Sequence, residues 1–161
     1  MELLGKSIIG TGLGGDNGQL MHATNPTTGQ RMEPDFHAAT ADEVEKAVNL
    51  AHQAFEHFSR TSGLEKSRFL RKIASNIEAH APQIIERAER ETALPKKRLQ
   101  GETARTCGQL RLFAQVVEEG SWVMARLDRP DPNRIPIPKP DLRSMLRPLG
   151  PVVVFGASNF R

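Results

Sequence analysis

Val152, Val153, Val154 and Phe155 form an unbroken apolar run, with Gly150-Pro151 before it and Gly156-Ala157-Ser158-Asn159 after it. Consecutive β-branched and aromatic residues between turn signals predict a strand buried on both faces, the pattern of a core strand in a parallel α/β sheet. Such a strand needs neighbours to complete its hydrogen bonds. No upstream segment has comparable character, so the sequence predicts an α/β fold of which these 161 residues are the opening third.

Composition bounds the class. With 38% hydrophobic and 25% charged residues the chain is globular, and its length favours one domain. The net charge of +3 is local: Arg126, Arg129, Arg134, Lys139, Arg143 and Arg147 face only Asp128, Asp131 and Asp141. A proline-rich stretch with scattered arginines has neither a basic helix face nor interleaved aromatics, which argues against a nucleic-acid partner. No apolar segment approaches membrane-spanning length, no leader-type segment follows Met1, and a single cysteine, Cys107, fits a reducing compartment. A cytoplasmic protein with no membrane partner is expected.

Residues 1–40 are punctuated by turns. Ser7-Ile8-Ile9 and the segment around Leu20-Met21-His22-Ala23 are expected to pair across the Gly10–Gly18 stretch, and Asn25-Pro26-Thr27-Thr28-Gly29 carries tight-turn signals. Gly10-Thr11-Gly12-Leu13-Gly14-Gly15 satisfies G-x-G-x-x-G and has Glu33 and Asp35 about twenty residues on. That motif binds a pyrophosphate only if its last glycine opens a helix. Asp16-Asn17-Gly18 and Asn25-Pro26 prevent one, so a hairpin loop is the better reading.

Residues 41–120 read as helical. Thr40-Ala41-Asp42-Glu43 has capping-box spacing, followed by Val44, Val48, Ala51, Phe55 and Phe58 at three- and four-residue intervals. Ser62-Gly63-Leu64-Glu65 repeats the box ahead of Leu70, Ile73 and Ile77. A third helix is expected to start near Pro82 and end around Leu94-Pro95, since proline is tolerated in a first turn. A fourth, from Lys96 to Glu119, aligns Leu99, Thr103, Cys107, Leu110, Ala114 and Val117 in one stripe.

That stripe decides the reading of Cys107. A nucleophilic cysteine needs a cationic or helix-N-terminal setting and an open approach, whereas a mid-helix position on the apolar face predicts a buried, inert thiol. His22, His37, His52, His57 and His80 form no ligand pair at helical spacing, so no metal site is expected. Glu86, Glu89 and Glu91, interleaved with Arg87 and Arg90, read as a solvated helix face. Pro130, Pro132, Pro136, Pro138 and Pro140 exclude a helix and predict an extended arm over 121–147 that reaches another domain or subunit, with a disordered linker as the alternative; within it Asp141–Arg147 alternates polar and apolar residues as an edge strand does.

The terminal segment Pro148-Leu149-Gly150-Pro151-Val152-Val153-Val154-Phe155-Gly156-Ala157-Ser158-Asn159-Phe160 resembles the opening of the cofactor-binding fold in the NAD(P)-dependent aldehyde dehydrogenases. Its Gly-Ala-Ser turn resembles the α-ketoglutaric semialdehyde (2,5-dioxovalerate) dehydrogenase branch. Asn25–Gly29, Ala51–Phe55, Arg68–Ala74, Glu91–Pro95 and Arg98–Phe113 resemble the family's N-terminal region in order and spacing, so the likeness covers nearly the whole chain.

The resemblance implies a fold class: α/β, the N-terminal part of the aldehyde dehydrogenase fold, with a β-hairpin, about four amphipathic helices, an extended arm and the first strand of the Rossmann-like cofactor domain. It implies a division into 1–120 (hairpin and helical part), 121–147 (arm, used for homo-oligomerisation) and 148–161 (first cofactor-domain strand and turn). Asn159 matches the asparagine that donates its amide to the oxyanion formed when a cysteine thiolate attacks the aldehyde. Phe155, Gly156, Ala157 and Ser158 match the turn lying along bound NADP or NAD. The same asparagine suits a helix N-cap, and both roles are compatible. Arg161 stands where the family has proline, and no residue here matches its catalytic cysteine or general-base glutamate, so the 161 residues are expected to be inactive alone. The competing expectation is a stand-alone, non-catalytic helical module that binds a partner, although an unpaired Val-Val-Val-Phe edge is an aggregation hazard for such a module.

Overall fold

A computed structural model describes residues 3–156 of the chain. They divide into two compact units, one holding the chain up to Arg60, Ala79–Thr103 and the segment from Gly150 onward, the other holding Thr61–Glu78 and Ala104–Leu149.

In the first unit, β1 (Ile8–Ile9) pairs antiparallel with β2 (Gly12–Leu13), and β3 (Leu20–Thr24) pairs antiparallel with β4 (Arg31–His37). The expected pairing of Ile8-Ile9 with the Leu20 segment is therefore corrected. Gly10, at φ +63, closes β1 onto its immediate neighbour, a conformation open to glycine at little cost, and the local partner wins over the distant one. The Asn25–Gly29 turn joins β3 to β4 as its sequence predicts. Asn25 Oδ1 accepts the Thr27 amide at 2.9 Å, the Gly29 amide donates to the Asn25 carbonyl at 2.8 Å, and Gly29 has φ +70.

Helix α1 (Ala41–Phe58) opens with the predicted capping box. Its stripe does not behave as a core stripe: the helix has no buried residue, and Val44, Val48 and Phe58 are each about half exposed. The core of this unit is Ile9, Met32, Ile85 and Leu99, contributed by β1, β4 and the two other helices.

Helix α2 runs from Gly63 to Thr92 without interruption, and α3 spans Lys96–Glu119. Among the described residues three α-helices thus replace the four expected, because Pro82 lies inside α2 and does not start a new one. An interior proline costs about 3 kcal/mol. Buried Ser67 and Ala74 before it and buried Ile85 after it anchor the helix on both sides. Thr92 and Ala93, the latter at φ +54, end α2 where the Leu94-Pro95 signal predicts.

In the second unit, Ser67 and Ala74 of α2 and Cys107 and Ala114 of α3 are buried, and Cys107 Sγ lies 3.6 Å from the Ala74 carbonyl oxygen. Gly63 is required at the start of α2, since an added Cβ would lie 2.2 Å from the Val117 carbonyl oxygen. After the 3₁₀ turn Ser121–Val123, β5 (Arg126–Asp128) pairs antiparallel with β6 (Leu142–Ser144), with Leu127 opposite Arg143. The prolines between them lie outside the ladder, and an Asp131–Lys139 bridge closes the loop.

The apolar run from Val152 to Phe155 makes no ladder among the described residues. The three sheets among the described residues are antiparallel and two-stranded, and Val152, Val153, Val154 and Phe155 are exposed at 78%, 70%, 84% and 90%. Strand hydrogen bonding is a property of a pair. Among the described residues the run has no such pair, so the strand expected there is not formed.

Candidate active site

Of the residues assigned to the site from sequence, Phe155 and Gly156 are described; Ala157, Ser158 and Asn159 lie outside the described residues. Phe155 is exposed at 90%, and nothing lies within 4 Å of the Cβ position at Gly156.

The other sequence candidates are settled by their surroundings. The last glycine of the G-x-G-x-x-G run, Gly15, donates its amide to Glu43 Oε1 at 2.6 Å. The place that an anion would take in a phosphate-binding loop holds the protein's own carboxylate, and Gly12 and Leu13 are in a strand rather than ahead of a helix. Bonds from the Thr40 and Gly15 amides hold the Glu43 carboxyl below its ordinary range.

Cys107 is 1% exposed, and its Sγ contacts the Ala74 carbonyl at 3.6 Å, a buried structural thiol as the helix stripe predicts. Among the described residues no group of three or more His, Cys, Asp or Glu side chains could hold a metal ion. Among the described residues no helix is long and apolar enough to cross a membrane.

One arrangement was not legible in the sequence. Arg87 does not belong to a solvated face: its side chain is 18% exposed. Its Nε donates to Glu91 Oε1 at 2.5 Å, its Nη1 donates to the Glu33 carbonyl, and its guanidinium lies 6.0 Å from the centre of the Phe36 ring. Only the i,i+4 spacing to Glu91 could have been read in advance. With Pro34, Ile84 and Leu3 these residues line a groove of about 800 Å³ between β4 and the second half of α2.

Against known proteins, residues 14–160 match the aldehyde dehydrogenase family. The chain is 44% identical over 161 residues to α-ketoglutaric semialdehyde dehydrogenase 2 of Azospirillum brasilense, an alignment covering 99% of this chain and 31% of that protein. It is 44% identical to the α-ketoglutaric semialdehyde dehydrogenase of Acinetobacter baylyi, covering 89% of this chain and 29% of that one. The chain therefore spans about 30% of the length of these relatives. The fold is similar to the NAD-dependent benzaldehyde dehydrogenase of Corynebacterium glutamicum, with a TM-score of 0.69 at 19% identity over 81% of this chain and 27% of that structure. It is similar to an E. coli NADP-dependent enzyme at the same TM-score, with 18% identity, 77% of this chain and 25% of that one. The ordered motifs, the antiparallel hairpins followed by long helices, and a family match across most of its length together establish that the chain belongs to the aldehyde dehydrogenase family.

Proposed function

We propose that the chain contributes the N-terminal portion of an aldehyde dehydrogenase that oxidises a semialdehyde, α-ketoglutaric semialdehyde in the first instance, to the acid with NADP or NAD. The observation that carries this reading is 44% identity sustained over 99% of the chain to a relative named for that substrate. In this reading 1–120 is the hairpin and helical part of the cofactor domain, 121–147 is an oligomerisation arm, and 148–161 opens the cofactor sheet. Leu127, Ile135, Ile137 and Leu142 in the arm are exposed at 54–89%, which supports its use against a second copy. The cytoplasmic assignment rests on the single reduced cysteine.

When bound, NADP or NAD supplies the hydride acceptor. Phe155 and the open backbone at Gly156 fit a wall along such a ligand. Asn159 donates its neutral side-chain amide where negative charge develops on the aldehyde oxygen. A preorganised donor there stabilises the transition state more than the ground state, by roughly 3–4 kcal/mol in comparable sites.

The test joins residues 1–161 to the remainder of the A. brasilense enzyme and follows reduced cofactor with α-ketoglutaric semialdehyde against other aldehydes. The chimera is expected to be active, the 161-residue chain alone inactive, and Asn159→Ala in the chimera slower in kcat by about 10²–10³. A folded chimera that oxidises no aldehyde would overturn the reading, as would turnover by the isolated chain.

A further inference from the structure

Glu43 divides its two oxygens between two elements. Oε2 accepts the Thr40 amide at 2.8 Å and the Thr40 hydroxyl at 3.2 Å, completing the cap of α1, while Oε1 accepts the Gly15 amide at 2.6 Å. The segment that Gly15 ends is closed on itself: Ile8 and Ile9 pair with Leu13 and Gly12, and the Gly14 amide donates to the Ser7 carbonyl at 2.8 Å. It is anchored at both ends to the strand behind it. The His37 amide donates to the Gly5 carbonyl at 2.8 Å and the Ala38 amide to the Gln19 carbonyl at 2.9 Å, and Gly18 lies so close to the Ala38 backbone that a Cβ cannot fit. Between those anchors the segment meets α1 at the Glu43 bond and where Gly10 approaches Leu50, the Gly10 Cβ position lying 3.1 Å from Leu50 Cδ1. The Lys6–Asp16 pair, at 3.7 Å, joins the segment only to itself.

We propose that residues 6–17 are a latched strap, a closed hairpin hinged near Gly5 and Gly18 whose release from α1 is controlled by the Glu43 carboxylate without dismantling the helix cap. The two functions separate because each uses its own oxygen, and a capping box works with a Glu or a Gln at this position. Gly5, at φ +63, has the backbone freedom that a hinge requires. Release frees the Leu50 side of a groove along α1 that Asp42, Glu45, Lys46, Asn49 and Gln53 complete.

Amide exchange and nuclear Overhauser contacts, measured by NMR on the 161-residue chain, test this. Glu43→Gln keeps one acceptor oxygen, which the adjacent cap retains. The Gly15 amide is then expected to exchange about ten-fold faster and the Gly10–Leu50 contact to weaken. The Gly14 amide, inside the strap, and the Val44 amide, in the first turn of α1, are expected to change by less than about two-fold. Gly14→Ala places a Cβ 2.8 Å from Glu43 Oε1, displaces the latch with the carboxylate intact, and is expected to give the same pattern. Gly14 accelerating with Gly15 would show a loop that unravels, Val44 accelerating with it would show that strap and cap are one unit, and no change at Gly15 in either variant would show no latch. Global unfolding of both variants would show Glu43 holding the whole unit. Each of these four results overturns the proposal.

Discussion

Ser67 Oγ donates to Glu118 Oε2 at 2.7 Å, tying the start of α2 to the end of α3 across 51 residues. Arg71 completes the arrangement, with Nη2 on the same Glu118 oxygen at 2.9 Å and Nε on the Ser67 hydroxyl at 3.2 Å. Ser67 is 1% exposed, the one buried polar side chain among the described residues, and its hydroxyl both donates and accepts. Ser67→Ala removes both bonds from a buried site and is expected to lower Tm by about 2–4 °C, measured by circular dichroism. An unchanged Tm would mean that solvent replaces the hydroxyl.

The same carboxylate sets an acid limit. Bonds from Ser67 and Arg71 hold Glu118 below its ordinary value of 4.5, and Arg111 does the same to Glu78, with Nη1 and Nη2 each 2.6 Å from one carboxylate oxygen. A depressed carboxyl contributes stability that is present above its unfolded pKa and lost as pH falls through the folded one. Denaturant midpoints should therefore be flat from pH 7 to about 5 and fall below about 4.5. A Glu78→Gln, Glu118→Gln double variant should lose part of that slope, and an identical slope would assign the acid sensitivity to other groups.

Two glycines in helices should respond to alanine with opposite sign. Gly63→Ala meets the Val117 backbone and is expected to destabilise by about 1–3 kcal/mol. Gly108, inside α3, has nothing within 4 Å of its Cβ position, so Gly108→Ala is expected to stabilise by up to about 1 kcal/mol through helix propensity. Urea unfolding of both variants checks the pair, and a stabilising Gly63→Ala would contradict the close α2–α3 approach.

Cys107 should be inert while the chain is folded. Modification by a thiol-specific disulfide reagent is expected to be roughly two orders of magnitude slower in buffer than in denaturant, because a covered thiol reacts only through opening. Rapid stoichiometric labelling in buffer would contradict the packing of α2 on α3.

Features encoded in short spacings were legible before the structure. Both capping boxes formed, because Thr40 with Glu43 and Ser62 with Glu65 need only one helical turn to meet. The α3 stripe buried Leu99, Cys107 and Ala114, because 3.6 residues per turn places them on one side. Asn159 and its turn were legible through resemblance alone, with no local geometry to support them. Tertiary structure decided what depends on residues far apart: Gly15 with Glu43, Ser67 with Glu118, and Arg87 with the Glu33 carbonyl. It also carried α2 through Pro82, where buried positions on both sides outweigh one missing hydrogen bond. The apolar run at Val152–Phe155 shows the division most plainly. Its composition predicts a buried strand, but strand hydrogen bonding needs a neighbouring strand, and among the described residues the run pairs with none and is exposed.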